Sequence, residues 1–283
     1  MDIAVVGGGV IGLSCAYELA GRGWRVGVWD RGALGQEASW AGAGIIPPGQ
    51  VEKAALPWER LRAIGAARFP SLAEELRELT GIDIGYRRCG GIEFLEAEEA
   101  AEVTALWSAE GIAFERWEPE ECWRREAGVI PPDGMTAWYL PGMAQVRNPW
   151  LMRGLIAACE RRQVELHPQE EVVGVVGSPP LAQGVLLADG NVRVAERILL
   201  AAGAWTDGVL KRLGSDGAGV HPVRGQIVLV RLVPPSSHRI LIVGKRYIVP
   251  RGDGHYLIGS TEEPEAGFTK ANTAGAVAEL LDF

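Results

Sequence analysis

Cysteine and histidine are both scarce in this 283-residue chain, four of each, and neither shows the spacing of a ligand set. Cys15, Cys89, Cys122 and Cys159 lie far apart with no Cys-x-x-Cys pair. That excludes a zinc ribbon and a disulfide framework, and leaves small hydrophobes kept reduced. His167, His221, His238 and His255 read as core or surface residues, so no metal is expected. Basic charge is short as well: 28 Lys+Arg stand against 36 Asp+Glu, a formal balance of −8. A nucleic-acid partner needs clustered cations, which are missing. Long apolar runs are also lacking; residues 198–205 fall far short of the ~20 needed to span a bilayer. Asp2 stands where a secretory signal would be basic, and no small-residue cleavage site follows. The expectation is a cytoplasmic protein with no membrane partner.

What the chain does have is glycine, 38 residues, and tryptophan, 10 residues, on a background that is 47% apolar. The apolar share supplies a sizeable core, and at roughly 150 residues per domain the length allows about two domains. Residues 3–6 are an apolar run ending in glycines, the mark of a strand buried on both faces. Residues 10–20 carry apolar side chains at helical spacing until Gly21 and Gly23 stop them, and residues 25–29 form a second strand closed by Asp30. Strand, glycine turn, helix and parallel strand make one right-handed crossover. A small-residue loop over 35–49 follows, possible opening of a helix included, then a helix over 59–80. Strands are expected at 82–86, 92–95, 136–140, 164–166, 171–176, 184–187, 191–194 and 198–202. Helices are expected at 96–109, 149–162 and 205–213, and antiparallel strands at 226–232, 240–243, 246–250 and 256–260. Residues 273–281 have helical period and run into Asp282 and Phe283 without a capping glycine, which reads as an element cut short.

The chemistry sits in Gly7-Gly8-Gly9-Val10-Ile11-Gly12, a Gly-x-Gly-x-x-Gly that follows a strand and opens a helix. Each glycine has its own task. Gly7 allows the tight turn, Gly9 lets backbone approach a pyrophosphate, and Gly12 lets helix and strand pack closely. The helix N-terminus then offers unpaired N–H groups and partial positive charge to the anion. Asp30 stands eighteen residues after Gly12, where a carboxylate accepts hydrogen bonds from a ribose diol. The pattern in this setting points to a dinucleotide. A nicotinamide enzyme would continue with alternating strands and helices, whereas this chain enters a small-residue loop, then antiparallel strands, then a late return at 198–203. Ala41-Gly42-Ala43-Gly44, with no side-chain bulk, suits backbone contact with a planar ring, which favours a flavin.

These residues resemble the FAD-dependent D-amino-acid oxidase family, and within it the glycine oxidase branch of thiamine biosynthesis. The resemblance rests on the turn with Asp30, on Ser39-Trp40-Ala41-Gly42-Ala43-Gly44-Ile45-Ile46 and on Gly81-Ile82-Asp83-Ile84. It continues through Gln145-Val146-Arg147-Asn148-Pro149, Leu200-Ala201-Ala202-Gly203-Ala204-Trp205, Pro222-Val223-Arg224-Gly225, Tyr247-Ile248-Val249-Pro250 and Ile258-Gly259-Ser260-Thr261. It implies that Val10 and Ile11 offer backbone to the pyrophosphate and that Asp30 and Arg31 border the adenosine ribose. Ala38, Ser39, Ala43, Gly44 and Ile45 match the loop that meets the flavin, Val172 a strand residue whose backbone contacts adenine, and Gly203 the end of the returning strand. Tyr247 matches a tyrosine near the substrate carboxylate, and Trp40 would cap the space beside the ring.

The implied fold is α/β: a doubly wound, Rossmann-like FAD-binding domain (1–80 and 145–220) interleaved with a mostly antiparallel α+β substrate domain (81–144 and 221–283). The implied reaction is oxidation of a small, glycine-like amino acid or amine, with dioxygen as acceptor and keto acid, ammonia and hydrogen peroxide as products. The cofactor carries that chemistry, so no catalytic acid–base residue is assigned. A homo-oligomer is compatible with this reading. Family members also carry a Gly-Leu-Arg-Pro segment whose arginine clamps the substrate carboxylate, and a Gly-His-x-x-x-Gly-Ile segment that wraps the flavin. Neither occurs in this sequence, which adds to the expectation of a shortened copy. An NAD-dependent oxidoreductase and a non-catalytic remnant that does not retain FAD stand as alternatives.

Overall fold

The computed structural model describes residues 1–126, 128–178, 181–212, 214 and 216–283. Its strands, in chain order, are β1 (Ile3–Val6), β2 (Val26–Asp30), β3 (Ile45–Ile46), β4 (Gly91–Glu96), β5 (Glu115–Trp117), β6 (Met135–Leu140), β7 (Ala144–Gln145) and β8 (Glu165–Pro168). They continue as β9 (Val172–Ser178), β10 (Leu181–Leu187), β11 (Val192–Val194), β12 (Arg197–Leu200), β13 (Ile227–Arg231), β14 (Ile240–Val243), β15 (Arg246–Pro250) and β16 (His255–Gly259). The helices are α1 (Val10–Ala20), α2 (Ala38–Ala41), α3 (Pro57–Thr80), α4 (Ala97–Ala109), α5 (Pro119–Arg125), α6 (Asn148–Arg161), α7 (Thr206–Arg212) and α8 (Ala274–Asp282).

The chain divides into two compact units, each assembled from three stretches: Met1–Gly42, Glu75–Ile84 and Asn148–Val223 in the first, Ala43–Glu74, Gly85–Arg147 and Arg224–Phe283 in the second. The stretch 43–74, expected with the nucleotide-binding residues, clusters with the second unit.

The first unit is built on a parallel sheet in the order β12-β1-β2-β8. Because β1 is central and both its faces are covered, every residue of Ile3–Val6 is buried, as continuous apolar strands in parallel sheets should be. Helices α1 and α6 pack together on one side, with Leu13, Ala16, Leu155 and Ala158 fully buried. Antiparallel strands β11-β10-β9 cover the other side, where Ala4, Val6 and Trp29 meet Val172, Val185 and Leu187.

The second unit holds a mixed seven-stranded sheet, β13-β16-β15-β14-β4-β6-β5, antiparallel except where β14 runs alongside β4. Its two faces separate cleanly, as the two-residue period of a strand dictates. Ile92, Phe94, Ala137 and Trp117 form one cluster. Leu95, Leu140, Ile240, Val249 and Leu257 form the other, with Ala100 and Trp107 of α4 laid on it.

Two elements depart from expectation. Residues 82–86 form no strand: Gly81 and Gly85 both sit in the left-handed region (φ +76° and +68°) and turn the backbone away from any ladder. Ile84 is nonetheless fully buried, so the apolar residues that suggested a strand serve packing alone. Helix α5 was not expected; it is short and polar, with Pro119 at its first turn and Cys122 as its one buried residue, too little period to be seen. Leu213, the end of the helix expected from 205, lies outside the described residues. No helix among those described is long and apolar enough to cross a membrane.

Candidate functional site

The glycine turn is tight for reasons that can be assigned atom by atom. Gly7 has φ +110°, and its N–H donates to Trp29 O at 2.8 Å. A Cβ on Gly7 would lie 2.3 Å from the Ala201 carbonyl oxygen, and one on Gly12 would lie 1.9 Å from the oxygen of Gly7. Neither glycine tolerates a side chain. Gly9 differs: its only near neighbour would be Ser39 Oγ at 3.1 Å, so the space beside it is otherwise open.

Helix α1 starts here with no side chain capping from its N-cap, Gly9. The N–H of Val10, a residue expected to offer backbone to the pyrophosphate, donates to Ser39 Oγ at 2.9 Å. Among the described residues no acceptor meets the N–H groups of Ile11 or Gly12, and Ile11 is 65% exposed. A hydroxyl can accept and donate at once, so Ser39 keeps a proton to offer beyond the helix. Open N–H groups at a helix N-terminus, beside a glycine with room over it, fit an anionic diphosphate.

Asp30 closes β2 and serves the turn itself. Its Oδ2 accepts from Gly8 N and its Oδ1 from Gly32 N, both at 2.8 Å. Each carboxylate oxygen retains a second lone pair, which leaves the ribose role open. The Arg31 guanidinium lies 3.9 Å over the Trp205 ring and 3.7 Å from Glu37 Oε1. Gly203, at φ +53°, begins the single turn Gly203–Trp205 beyond β12. Val172 is 5% exposed with its side chain in the core, so only its backbone is available to a ligand.

Ala38 and Ser39 lie in α2, where Asn148 Nδ2 donates to Ser39 O at 3.0 Å. Asn148 Oδ1 is buried and has no hydrogen-bond partner. A buried acceptor left unmet is costly, and here it stands next to Gly42, whose Cβ would fall 2.5 Å from Asn148 Nδ2. This is a second feature that suits a bound group with donors. The Arg153 guanidinium lies 5.5 Å from the Trp40 ring.

Ala43, Gly44, Ile45 and Tyr247 belong to the second unit. Gly44 has φ +71° and its carbonyl accepts from Val146 N at 2.9 Å; Ile45 pairs with Gln145. The residue that holds this loop is one that sequence reasoning missed. Arg251 donates to Ala43 O (2.9 Å), Val146 O (3.0 Å) and Gln145 Oε1 (3.0 Å). Burial, with Arg147 and Arg87 nearby, lowers its pKa to about 10, still a cation at neutral pH. Two of its three partners are backbone carbonyls, 105 and 208 positions away, and a sequence carries no signal for those. Tyr247 sits on β15 between Ile242 and Gly259, its Oη only 2.7 Å from where a Gly259 Cβ would be, so the ring lies over that glycine. Among the described residues no three His, Cys, Asp or Glu side chains come together as a metal site.

Comparison with known proteins agrees with this geometry. The profile of the family described as "DAO: FAD dependent oxidoreductase" matches residues 2–283. Glycine oxidase of Pseudomonas putida is 35% identical over 286 residues, covering 99% of this chain and 75% of that protein. The Pseudomonas aeruginosa glycine oxidase is 37% identical over 285 residues, with 98% and 75% covered. The crystal structure of glycine oxidase from Bacillus cereus superimposes with a TM-score of 0.89 at 28% identity, over 99% of this chain and 76% of that one. The profile match along essentially its whole length, which takes in the glycine turn, places this chain in the family of FAD-dependent oxidoreductases.

Proposed function

We propose that the chain binds FAD through its first unit and oxidises a small amino acid, with glycine as the reference substrate. The observation that carries the reading is the Gly7–Gly12 turn: two glycines that admit no side chain, a third with open space, and two helix N–H groups without an acceptor among the described residues. Ile11 and Gly12 would hold the diphosphate by their N–H groups, with Ser39 Oγ beside them and Asp30 accepting from the ribose. Val172 would meet adenine through its backbone. Ala43, Gly44 and Ile45, fixed by Arg251, would offer main chain to the flavin ring.

Bound FAD supplies an acceptor for the hydride of the substrate α-carbon. The protein's part is to bind, orient and exclude water. Tyr247 Oη has no hydrogen-bond partner among the described residues, and would donate to the substrate carboxylate. Overall, amino acid, dioxygen and water give 2-oxo acid, ammonia and hydrogen peroxide. The glycine oxidases among the relatives support the choice of substrate.

The purified chain should be yellow, with flavin absorption at about 450 nm, and should release ammonia and peroxide in equal amounts from glycine. A colourless protein that responds only to NADH would overturn the reading.

A further inference from the structure

One carboxyl group in the second unit stands where packing alone would place a hydrocarbon. Directly opposed residues of a sheet share a face, and one such row crosses all seven strands: Arg116, Trp138, Glu93, Ile242, Tyr247, Gly259 and Ile227. Trp138, Ile242 and Tyr247 pack on the cluster that also takes Ala43 and Ile45, the flavin loop. Glu93 lies in their midst on β4, an interior strand. It has no side-chain hydrogen bond or ion pair among the described residues, and desolvation pushes the carboxyl pKa up.

A register slip does not explain it. The neighbours Ile92 and Phe94 are buried in the opposite cluster and Leu95 in this one, so every other residue of β4 obeys the alternation. Glu93 is half-buried and its carboxyl oxygens are not fully enclosed, so the group faces space a ligand can enter, and set among apolar side chains it still costs free energy that leucine would not. The position makes sense if the carboxyl has a partner that is not part of the protein.

The geometry also says which end of a substrate that partner is. The Tyr247 ring leans over Gly259, away from Glu93. From β16 to β4 there are three inter-strand steps of ~4.8 Å, about 14 Å in all, of which the glutamate side chain covers only part. The α-amine of glycine, held by its carboxylate at Tyr247, does not reach that far; a substituent does.

We infer that Glu93 is a specificity-determining residue, selecting amino acids that carry a second, cationic amine at the end remote from their carboxylate and disfavouring those that carry a second carboxylate there. The inference rests on the proposed function, since it takes Tyr247 as the carboxylate anchor.

The test compares glycine, N-(2-aminoethyl)glycine and iminodiacetate on the FAD-loaded chain and its Glu93→Gln, Glu93→Asp and Glu93→Leu variants. Two quantities are read: kcat/KM, with kcat and KM separated, and calorimetric Kd under anaerobic conditions with the flavin already reduced, so that the ligand meets no electron acceptor. In Glu93→Gln and Glu93→Leu the preference for N-(2-aminoethyl)glycine over iminodiacetate should fall at least tenfold, chiefly through KM and Kd, while Glu93→Asp keeps its direction. A preference unmoved in Glu93→Gln, or equal losses on all three compounds, would overturn the assignment. Glycine oxidised with that preference unmoved removes the role of Glu93 alone. If none of the three is bound or oxidised, the amino-acid reading falls and the role of Glu93 falls with it.

Discussion

Single residues at the turn bear unequal burdens, and that inequality can be measured. Gly9 has only a hydroxyl oxygen near its missing side chain, at 3.1 Å, while Gly12 faces a backbone oxygen at 1.9 Å. Gly12→Ala should therefore force turn and helix apart, costing about 1–3 kcal/mol of stability as overpacking does, together with the flavin. Gly9→Val should leave a folded chain that has lost its yellow colour, because only the approach to the diphosphate is filled. Urea unfolding beside flavin absorbance separates the two; retention of colour in Gly9→Val would contradict the turn geometry. The sequence made both glycines legible, since their spacing fits one motif. It did not reveal that Ser39 takes the Val10 N–H, because the partners stand 29 positions apart. Nor did it show Arg251, two of whose three partners are main-chain carbonyls of the kind every residue has.

Among elements, the antiparallel sheet shows how side chains secure strand ends. Arg224 and Gln226 precede β13, Thr261 follows β16, and all three converge on Glu263. The hydrogen bond from Thr261, then those from Arg224 and Gln226, hold the Glu263 carboxyl at about 2, below its ordinary 4.5. A carboxyl depressed by folding stabilises the native state fully above its unfolded pKa and loses that contribution as pH falls through the folded value. The window here runs from about 4.5 down to about 2. Denaturant unfolding should thus show a stability gap between the parent and Glu263→Gln that is constant above pH 5 and narrows as acid is added. A gap that stays constant to pH 3 would mean the carboxylate is not so held. Element prediction from sequence worked where period was long, as in α3 and α6, and where strands alternated, as in β4. It failed at 82–86, where two left-handed glycines override an apolar pattern, and at α5, whose seven residues include four charged ones and a single buried one, too few to carry a period.

At the scale of the whole chain, the α/β class and the interleaving of two parts were readable from the order of motifs, while the assignment of 43–74 was not. That stretch follows the nucleotide-binding residues in sequence but packs with later strands: Ile45 pairs with Gln145, Gln50 Nε2 donates to Gly111 O, and Arg62 pairs with Glu110. Such contacts depend on sequence separations that local patterns do not encode. A ligand that binds only the folded state stabilises it by mass action, about 2.7 kcal/mol at a hundred times its Kd. Adding FAD to cofactor-stripped protein should therefore raise Tm by roughly 5 °C or more, and NAD at the same concentration should not. Equal shifts with both would remove the preference for a flavin.

The wall behind the first turn is supplied by Ala201, and the strand beside β1 is Arg197–Leu200. A ribosome must accordingly deliver about two hundred residues before the glycine turn acquires its permanent backing. Under the proposed function, capture of the nucleotide is thereby a late event in the life of a nascent polypeptide, even though the glycine turn is encoded at the very beginning of the message.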